Sequence, residues 1–173
     1  MAICISARYK NLKFMDKILN PDEAKTIFTD CQKNKKSTVL VGGCFDVVHI
    51  GHVRFLQEAK KLGDILFVFL ESDEKVRRLK GENRPLFKQS ERAIVLSAIS
   101  YVDYVITLPF ISTDEGYNEL VLSLKPDIIA VTENDPHLGK KKKQADLIKG
   151  KLEVVPFVKT FSSSKLVKVL GIE

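Results

Sequence analysis

The sequence contains no tryptophan and only three cysteines, Cys4, Cys31 and Cys44. The number of cysteines is odd and no C-x-x-C pair occurs, which argues against a disulfide framework and against a zinc ribbon. Few cysteines without a pairing pattern are typical of proteins in a reducing compartment. We therefore expect a cytoplasmic location.

Long apolar runs are also missing. No stretch approaches the roughly 20 residues that a membrane-spanning helix needs, and the apolar stretch within residues 1–8 is too short for the core of a signal peptide. Hydrophobic residues make up 45% and charged residues 29% of the 173 residues, which is ordinary for a globular domain with a genuine core. We expect no association with a membrane.

Two well-known phosphate-binding motifs are absent from the sequence. There is no G-x-G-x-x-G, the fingerprint of dinucleotide-binding folds, and no G-x-x-x-x-G-K-[ST], the P-loop. No dense cluster of carboxylates is evident either, so the sequence predicts no metal site formed by the protein alone. Any phosphate-binding site must therefore be built in another way.

Basic residues outnumber acidic residues, which gives a formal net charge of +6. Such a balance suits ordinary solubility, or an anionic ligand that is either a nucleic acid or a phosphorylated small molecule. The basic residues are spread over several predicted elements and few aromatic residues lie between them. Nucleic-acid binding is therefore disfavoured and stays open as the alternative from a different class. The run from Lys140 to Lys143 is interpreted as a solvated surface.

Strands and helices alternate along most of the chain, as apolar runs and 3.6-residue periodicity indicate. The predicted strands are 38–41, 65–70, 104–108, 128–132 and 152–155. The predicted helices are 21–33, 51–62, 91–100, 117–124, 140–149 and 163–170, and residues 72–87 are interpreted as a loop. This order predicts a doubly wound parallel α/β sheet in a single domain, residues 17–173, after a leader, residues 1–16, that we expect to be flexible.

The segment GCFDVVHIGH, residues 43–52, lies where a strand is predicted to end and a helix to begin. His49 and His52 are three residues apart, so both rings fall on one helix face. The free N–H groups of a helix start favour anions, and the Gly-Gly pair before the helix allows a ligand to approach the backbone. Two other interpretations stay open here: zinc held by Cys44, His49 and His52, and histidines that only cap the helix.

This segment resembles the signature of the cytidylyltransferase-like nucleotidyltransferases, a family with a Rossmann-like sheet and an H-x-G-H motif. Such enzymes join a nucleoside monophosphate to a phosphorylated acceptor and release pyrophosphate. The resemblance implies that His49 and His52 stabilise the charge that develops on the transferring phosphate, since such reactions depend on positioning and charge stabilisation. It also implies a nucleotide-binding role for the residues before them, Gly43, Cys44, Phe45 and Asp46.

The stretch RRLKGENRPLFKQSER, residues 77–92, matches further basic positions of the family. Lys80, Arg84 and Arg92 would face the triphosphate or the acceptor phosphate, because arginine suits bidentate phosphate contacts and lysine supplies a point charge. The resemblance makes Lys80 and Arg92 catalytic together with the two histidines, and it makes all three basic residues nucleotide-binding.

The stretch FSSSKL, residues 161–166, resembles the last motif of the family. The hydroxyls of Ser162, Ser163 and Ser164 would begin the last helix and face the β- and γ-phosphates. Taken alone, three serines would more simply be a helix cap. The resemblance further implies Mg²⁺ as a cofactor, bound mainly through the nucleotide phosphates.

One branch of the family, the adenylyltransferase domain of ADP-heptose synthesis, is similar to this chain in KILNPDEAKTIFTDCQKNKKSTVLVGGCFD, KGENRPL and SAISYVDYVI. That branch uses ATP and a heptose 1-phosphate, which is the reaction we expect. A cytidylyltransferase for glycerol 3-phosphate or another phospho-alcohol, and an FAD synthetase, are the alternatives. VTENDPHLG replaces the branch's Gly-Gly-Asp-Tyr-like segment. The residues predicted to select the base or the acceptor are therefore Thr132, Glu133, Asn134 and Asp135.

The resemblance implies a homodimer and a reaction without a general base, because the attacking acceptor phosphate already carries a negative oxygen. The string HIGH also occurs in class I aminoacyl-tRNA synthetases, but these need a far longer chain with a tRNA-binding domain. A member of the family that only senses a nucleotide is disfavoured by the intact His49, His52 and Lys80.

Overall fold

The computed structural model describes residues 14–156 and residue 171, which form one six-stranded sheet with helices on both faces. The strands are β1 (Ile18–Leu19), β2 (Thr38–Gly43), β3 (Ile65–Leu70), β4 (Tyr104–Thr107), β5 (Ile128–Thr132) and β6 (Lys151–Val155). The helices are α1 (Pro21–Lys33), α2 (Ile50–Lys60), α3 (Asp73–Lys80), α4 (Gln89–Ser97), α5 (Asp114–Leu124) and α6 (Leu138–Ile148). The prediction of a doubly wound parallel α/β sheet in a single domain is confirmed.

The strand order is β1-β4-β3-β2-β5-β6, and every pair in the sheet is parallel. The chain builds outward from β2 through β3 to β4 and then crosses back to place β5 on the other side of β2. The carboxyl ends of β2 and β5 therefore border the point where the sheet reverses direction, which is where such sheets bind ligands.

The strand β3 shows why the sheet lies in the middle of the molecule. All six of its residues, ILFVFL, are buried, which a strand covered by helices on both faces requires. Phe67 belongs to the core under α1, α5 and α6, where its ring stacks on Phe28 with centroids 4.0 Å apart. Its neighbour Val68 points to the opposite core, under α2 and α4, with Leu56 and Leu96.

The helix α1 has the predicted bounds because its sequence caps itself. The Asn20 side chain accepts hydrogen bonds from the backbone N–H of Asp22 and Glu23, at 2.9 and 3.0 Å. The Glu23 carboxylate in turn accepts from the Asn20 N–H at 2.8 Å, which completes a capping box. Pro21 occupies the first turn, where no N–H is needed.

Several predicted boundaries were wrong. The supposed loop at 72–87 contains α3, which Ser72 caps, and only Val76 of that highly charged helix is buried. The helices α4, α5 and α6 each begin two or three residues earlier than predicted. Residues Phe14–Lys17 form a 3₁₀ helix, so this part of the expected leader has regular structure.

The two-residue strand β1 pairs with β4 and was not predicted. The predicted last helix, 163–170, lies outside the described residues, and the domain boundary at residue 17 stays a prediction.

Within the part of the chain that the structure describes, no helix combines the length and the apolar character that crossing a membrane requires.

Candidate active site

A cavity of about 630 Å³ opens at the carboxyl ends of β2 and β5. We call it the main cavity. Its polar and glycine lining residues are Gly42, Gly43, Cys44, His49, Gly51, His52, Lys80, Thr132, Asp135 and Lys141. Leu40, Phe45, Phe55, Ile129, Val131, Pro136 and Pro156 form part of its apolar wall. The cavity therefore joins a polar, basic side to an apolar side at the reversal point of the sheet.

The start of α2 is capped by the two histidines themselves. His49 is the N-cap residue, and its Nδ1 accepts a hydrogen bond from the Gly51 N–H at 3.1 Å. The Nδ1 of His52 accepts from the His49 N–H at 3.3 Å, and the two ring centroids are 3.9 Å apart. Because both Nδ1 atoms accept, each neutral ring carries its proton on Nε2. Helix capping is thus the interaction that orients these two rings on the cavity wall.

Both rings are held in the neutral form. Burial first, and then the nearby His49 and Lys80, lower the pKa of His52 to about 3, although a hydrogen bond with the Val47 backbone acts in the opposite direction. Burial and then Lys80 also lower the pKa of His49. At neutral pH the histidines are therefore uncharged N–H donors rather than imidazolium cations.

Phe45 shapes the floor of the site. It is 4% exposed and adopts a left-handed conformation, with φ of 43°. Its ring lies 5.1 Å from the His52 ring, centroid to centroid. A Cβ atom at Gly43 would lie only 3.0 Å from the Phe45 ring. Gly43 is needed here because the aromatic ring packs over its backbone, a reason the sequence did not reveal.

Lys80 and Cys44 complete the wall around the histidines. Lys80 ends α3, and its charge reaches both rings and the thiol. Burial raises the pKa of the Cys44 thiol, although Lys80 opposes this rise, so the thiol stays protonated. Among the described residues, no group of three or more histidine, cysteine or carboxylate side chains is arranged to hold a metal ion. The zinc interpretation therefore gains no support.

Asp46 and Arg84 were predicted to bind the nucleotide, which stays a prediction; both are buried, and neither lines the main cavity. They form an ion pair in which the Arg84 Nε donates to Asp46 Oδ2 at 2.6 Å. The other carboxylate oxygen of Asp46 accepts from the Leu86 N–H at 2.8 Å. This pair ties the loop after β2 to the loop before α4, which is a positioning role.

Arg92 was predicted to be catalytic, and this role stays a prediction; the structure does not place the residue on the cavity wall. Its side chain is 1% exposed. Its guanidinium donates to the carbonyls of Phe87, Cys44 and Glu71, at 3.0, 2.5 and 2.9 Å, and to the Asp73 carboxylate at 2.7 Å. Four of its five N–H donors are therefore occupied by the protein. Arg92 lies behind the cavity and holds the ends of β2 and β3 together.

The segment predicted to select the base or acceptor is only partly on the wall. Thr132 and Asp135 line the main cavity, while Glu133 and Asn134 are exposed. The Asp135 N–H donates to the Thr132 carbonyl at 3.1 Å, and Asp135 Oδ1 accepts from the His137 N–H at 2.7 Å. Thr132 and Asp135, at the two ends of this turn, therefore face the main cavity.

A second cavity of about 340 Å³, here called the side cavity, adjoins the main cavity. The two share Gly42, Gly43, Cys44, Asp135 and Lys141. The residues special to the side cavity include Glu71, Lys75, Tyr117 and Gln144. The sequence interpretation missed them, although a glutamate directly after a continuous apolar strand is a recognisable signal for this edge of the sheet.

Lys141 contradicts the interpretation of Lys140 to Lys143 as a uniformly solvated run. Lys141 lines both cavities, whereas its three lysine neighbours are exposed. It shares the inner face of α6 with Gln144 and Ala145, which are buried. The i, i+3, i+4 spacing of these residues was the available signal.

Ser162, Ser163 and Ser164 lie outside the described residues, so their predicted role is not tested.

Comparisons with known proteins agree with this geometry. The family model described as Cytidylyltransferase-like matches residues 40–169. The protein named Bifunctional protein HldE from Campylobacter jejuni (strain RM1221) is 38% identical over 160 residues, which cover 92% of this chain and 32% of that protein. HldE from Campylobacter curvus is 40% identical over 158 residues, which cover 91% and 32%. The chain spans about a third of the length of these relatives.

Solved structures show the same fold. The lipopolysaccharide core biosynthesis protein from Thermoplasma volcanium superposes with a TM-score of 0.56 at 26% identity, covering 73% of this chain and 99% of that chain. Pantoate-beta-alanine ligase from Francisella tularensis superposes with a TM-score of 0.58 at 16% identity, covering 87% and 72%. The second likeness concerns the fold alone.

Proposed function

This chain belongs to the cytidylyltransferase-like family and is a nucleotidyltransferase, and we propose that it transfers AMP from ATP to a heptose 1-phosphate with release of pyrophosphate. The observation that carries the phosphate chemistry is the pair of neutral Nε2–H donors at the start of α2, beside Lys80, in a cavity at the strand ends. The HldE relatives and the lipopolysaccharide biosynthesis protein favour a sugar phosphate as the acceptor.

In the proposed reaction, the triphosphate lies along the basic side of the main cavity. An oxygen of the acceptor phosphate attacks the α-phosphorus and forms a new P–O bond. The bond from the α-phosphorus to the bridging oxygen breaks, and pyrophosphate leaves with that electron pair. The attacking oxygen is already deprotonated, so no side chain has to accept a proton.

The histidines act in this reaction as hydrogen-bond donors. Negative charge builds up on the phosphate oxygens as the reaction proceeds, and fixed N–H donors in a partly buried site stabilise it. His49 and His52 are oriented before the substrate arrives, because their Nδ1 atoms already cap α2. Lys80 adds a positive charge on the same wall. Ser162, Ser163 and Ser164 are proposed to bind the β- and γ-phosphates.

The base is proposed to occupy the apolar side of the main cavity. Ile129, Val131 and Pro136 contribute apolar surface there. Thr132 and Asp135, which were predicted to select the base or acceptor, line the same cavity. Glu133 and Asn134 point outward and would act only at the rim.

Mg²⁺ is proposed as the cofactor. The described walls offer isolated carboxylates such as Asp135 rather than a cluster of ligands, so the ion would be held mainly by the nucleotide phosphates. When bound, it would neutralise charge on the triphosphate.

A homodimer and a cytoplasmic location are also proposed. Light scattering of the purified protein tests the homodimer, and fractionation of cells tests the location.

Pyrophosphate release by the purified protein tests the reaction. ATP and CTP are each combined with heptose 1-phosphate, glycerol 3-phosphate, phosphocholine, phosphoethanolamine and FMN in the presence of Mg²⁺. We expect release with ATP and heptose 1-phosphate well above all other pairs. Release with CTP and a phospho-alcohol would show that the proposed substrates are wrong and that the proposed reaction class is right. Absence of both release and nucleotide binding would overturn the proposal and favour a nucleic-acid-binding module.

A further inference from the structure

The side cavity contains two side chains, Gln144 and Glu71, with acceptor oxygens to which no described residue donates. Gln144 is 4% exposed, and its Oε1 has no hydrogen-bond partner within residues 14–156. Glu71 accepts from the Tyr117 hydroxyl at Oε2, at 2.8 Å, and no described residue donates to its Oε1. A buried carbonyl oxygen without a donor is destabilising. Both groups therefore suit a ligand that brings N–H or O–H donors into this cavity.

Lys141 lies at the junction of the two cavities and forms no ion pair or hydrogen bond through its ammonium with another described residue. Its Nζ lies 3.7 Å from the position that a Cβ atom at Gly42 would take, beside the end of β2. No carboxylate within residues 14–156 reaches it at ion-pair distance, and burial lowers the pKa of its ammonium, although Asp135 and Glu71 oppose this. A desolvated ammonium of this kind gains most from an anion placed next to it.

The neighbouring lysines show that this placement is specific. Lys140 is exposed and pairs with Asp114 at 2.8 Å, and Lys142 and Lys143 are exposed. Only Lys141 falls on the inner face of α6, one turn before Gln144. The helix α6 thus places one cation, Lys141, and one hydrogen-bond acceptor, Gln144, on the wall of the side cavity.

We propose that Lys141, Glu71 and Gln144 bind the acceptor substrate, with Lys141 contacting its phosphate at the junction and Glu71 and Gln144 accepting hydrogen bonds from its hydroxyl groups. This assignment rests on the proposed nucleotidyl transfer and names residues for its second substrate. It fits a phosphate ester that carries several hydroxyls. A quaternary ammonium headgroup does not fit, because it has no N–H or O–H to donate and would meet the cation.

The test compares Lys141→Met with Lys142→Met, an exposed lysine one residue further on the same helix. Both variants are assayed for the KM of heptose 1-phosphate and for the Kd of ATP. A hydrogen bond from a charged group is stronger than one between neutral groups, so we expect Lys141→Met to raise the acceptor KM tenfold or more. The Kd of ATP stays within about threefold, Lys142→Met behaves like the unmodified protein, and Lys141→Arg, which keeps the charge, recovers part of the loss.

Gln144→Leu provides a second variant that does not change the charge. We expect it to raise the KM of heptose 1-phosphate about fivefold, and to do so without raising the KM of glycerol 3-phosphate to the same extent, because the smaller acceptor offers fewer hydroxyls. Thermal unfolding of each variant confirms that it is folded. If Lys141→Met does not fold, Lys141→Arg and Gln144→Leu still carry the test.

The outcomes separate this inference from the proposed function. Normal acceptor KM in Lys141→Met and Gln144→Leu, while the unmodified protein releases pyrophosphate, would overturn the acceptor site and leave the nucleotidyl transfer intact. A weaker Kd for ATP with an unchanged acceptor KM would place Lys141 on the nucleotide and also overturn the inference. No pyrophosphate release by the unmodified protein with any acceptor would overturn the proposed function, and this inference with it.

Discussion

Two groups of polar residues flank the loop after β2, and they differ in what their hydrogen-bonding atoms contact. His49, His52 and Lys80 line the main cavity. Asp46, Arg84 and Arg92 lie behind that wall, buried, and bond to one another's loops. Both groups match motifs of the same family. The comparison shows that residues of such motifs either line the main cavity or bond to the loops behind it, and that burial and partners distinguish the two.

The two groups also differ in energetic terms. Members of the rear group donate to carboxylates and carbonyls within the protein, so removing a member leaves buried acceptors unpaired and destabilises the fold. The cavity group uses Nδ1 for the helix cap and keeps Nε2–H as its other donor. Removing that donor should change the reaction rate far more than stability. Substitutions in the two groups are therefore expected to affect different measurements.

The largest effect is expected for Arg92→Met. The substitution leaves three backbone carbonyls and the Asp73 carboxylate without their donor, and loss of one partner of a buried charged pair costs about 3–5 kcal/mol. Urea unfolding measures the free energy of unfolding. Arg78→Met, which removes an exposed arginine paired with Glu74, is the matched control and should cost less than about 1 kcal/mol. Equal stability of the two variants would contradict the structural role of Arg92.

A slightly smaller effect, on rate instead of stability, is expected for His52→Asn. The asparagine oxygen can still accept from the His49 N–H, while the Nε2–H is lost. Loss of one such donor lowers kcat by about 10²–10³-fold, and we expect the Kd of the nucleotide to change less than threefold. Steady-state assays and nucleotide titrations check both numbers. His52→Ala, which also loses the cap, should show the same fall in kcat together with lower stability; unchanged turnover in either variant would refute the role of the ring.

A more modest effect is expected for Lys80→Met. Lys80 supplies a point charge to the cavity, so its loss should weaken nucleotide binding about tenfold, which corresponds to about 1.4 kcal/mol. Calorimetric titration at low and high salt measures this loss. The difference between the two proteins should shrink as salt increases, because screening weakens the attraction. Binding that is equal in both proteins at low salt would remove Lys80 from the phosphate site.

The smallest effect is a pH dependence of stability that His52 should cause. Its pKa is lowered to about 3 in the folded protein from about 6.5 in the unfolded chain. Below pH 6.5 the unfolded chain binds a proton that the folded protein does not, so the stability present above that value is lost as the pH falls. Between pH 7.5 and about 5.8 the unmodified protein should lose about 1 kcal/mol more than His52→Asn. Parallel losses in urea unfolding would mean that the ring is not desolvated.

The sheet could be predicted because its signals are local. The buried run of β3 and the alternation of strands with helices define the architecture without knowledge of contacts. The strand β1 was missed because two residues carry no periodic pattern, and α3 was missed because charge dominates its sequence. Both elements depend on neighbours that are distant in the chain.

The site could be predicted only in part, for a related reason. The sequence identifies His49 and His52 because they are close together in the chain at a strand end. It does not reveal that Arg92 bonds to carbonyls 21 and 48 residues away. It also does not separate Lys141 from the adjacent lysines unless the helical face is considered. Which way a side chain faces depends on the path of the loops, and the residue type does not encode that path.

The most direct test of this account is nitrogen NMR of the histidine rings. The chain has only three histidines, and the exposed His137 serves as an internal reference. At pH 7, without nucleotide, we expect His49 and His52 to be neutral, with the proton on Nε2 and none on Nδ1. On addition of nucleotide, their Nε2–H signals should shift while that of His137 stays unchanged. Rings that are charged, or protonated on Nδ1, would contradict the account.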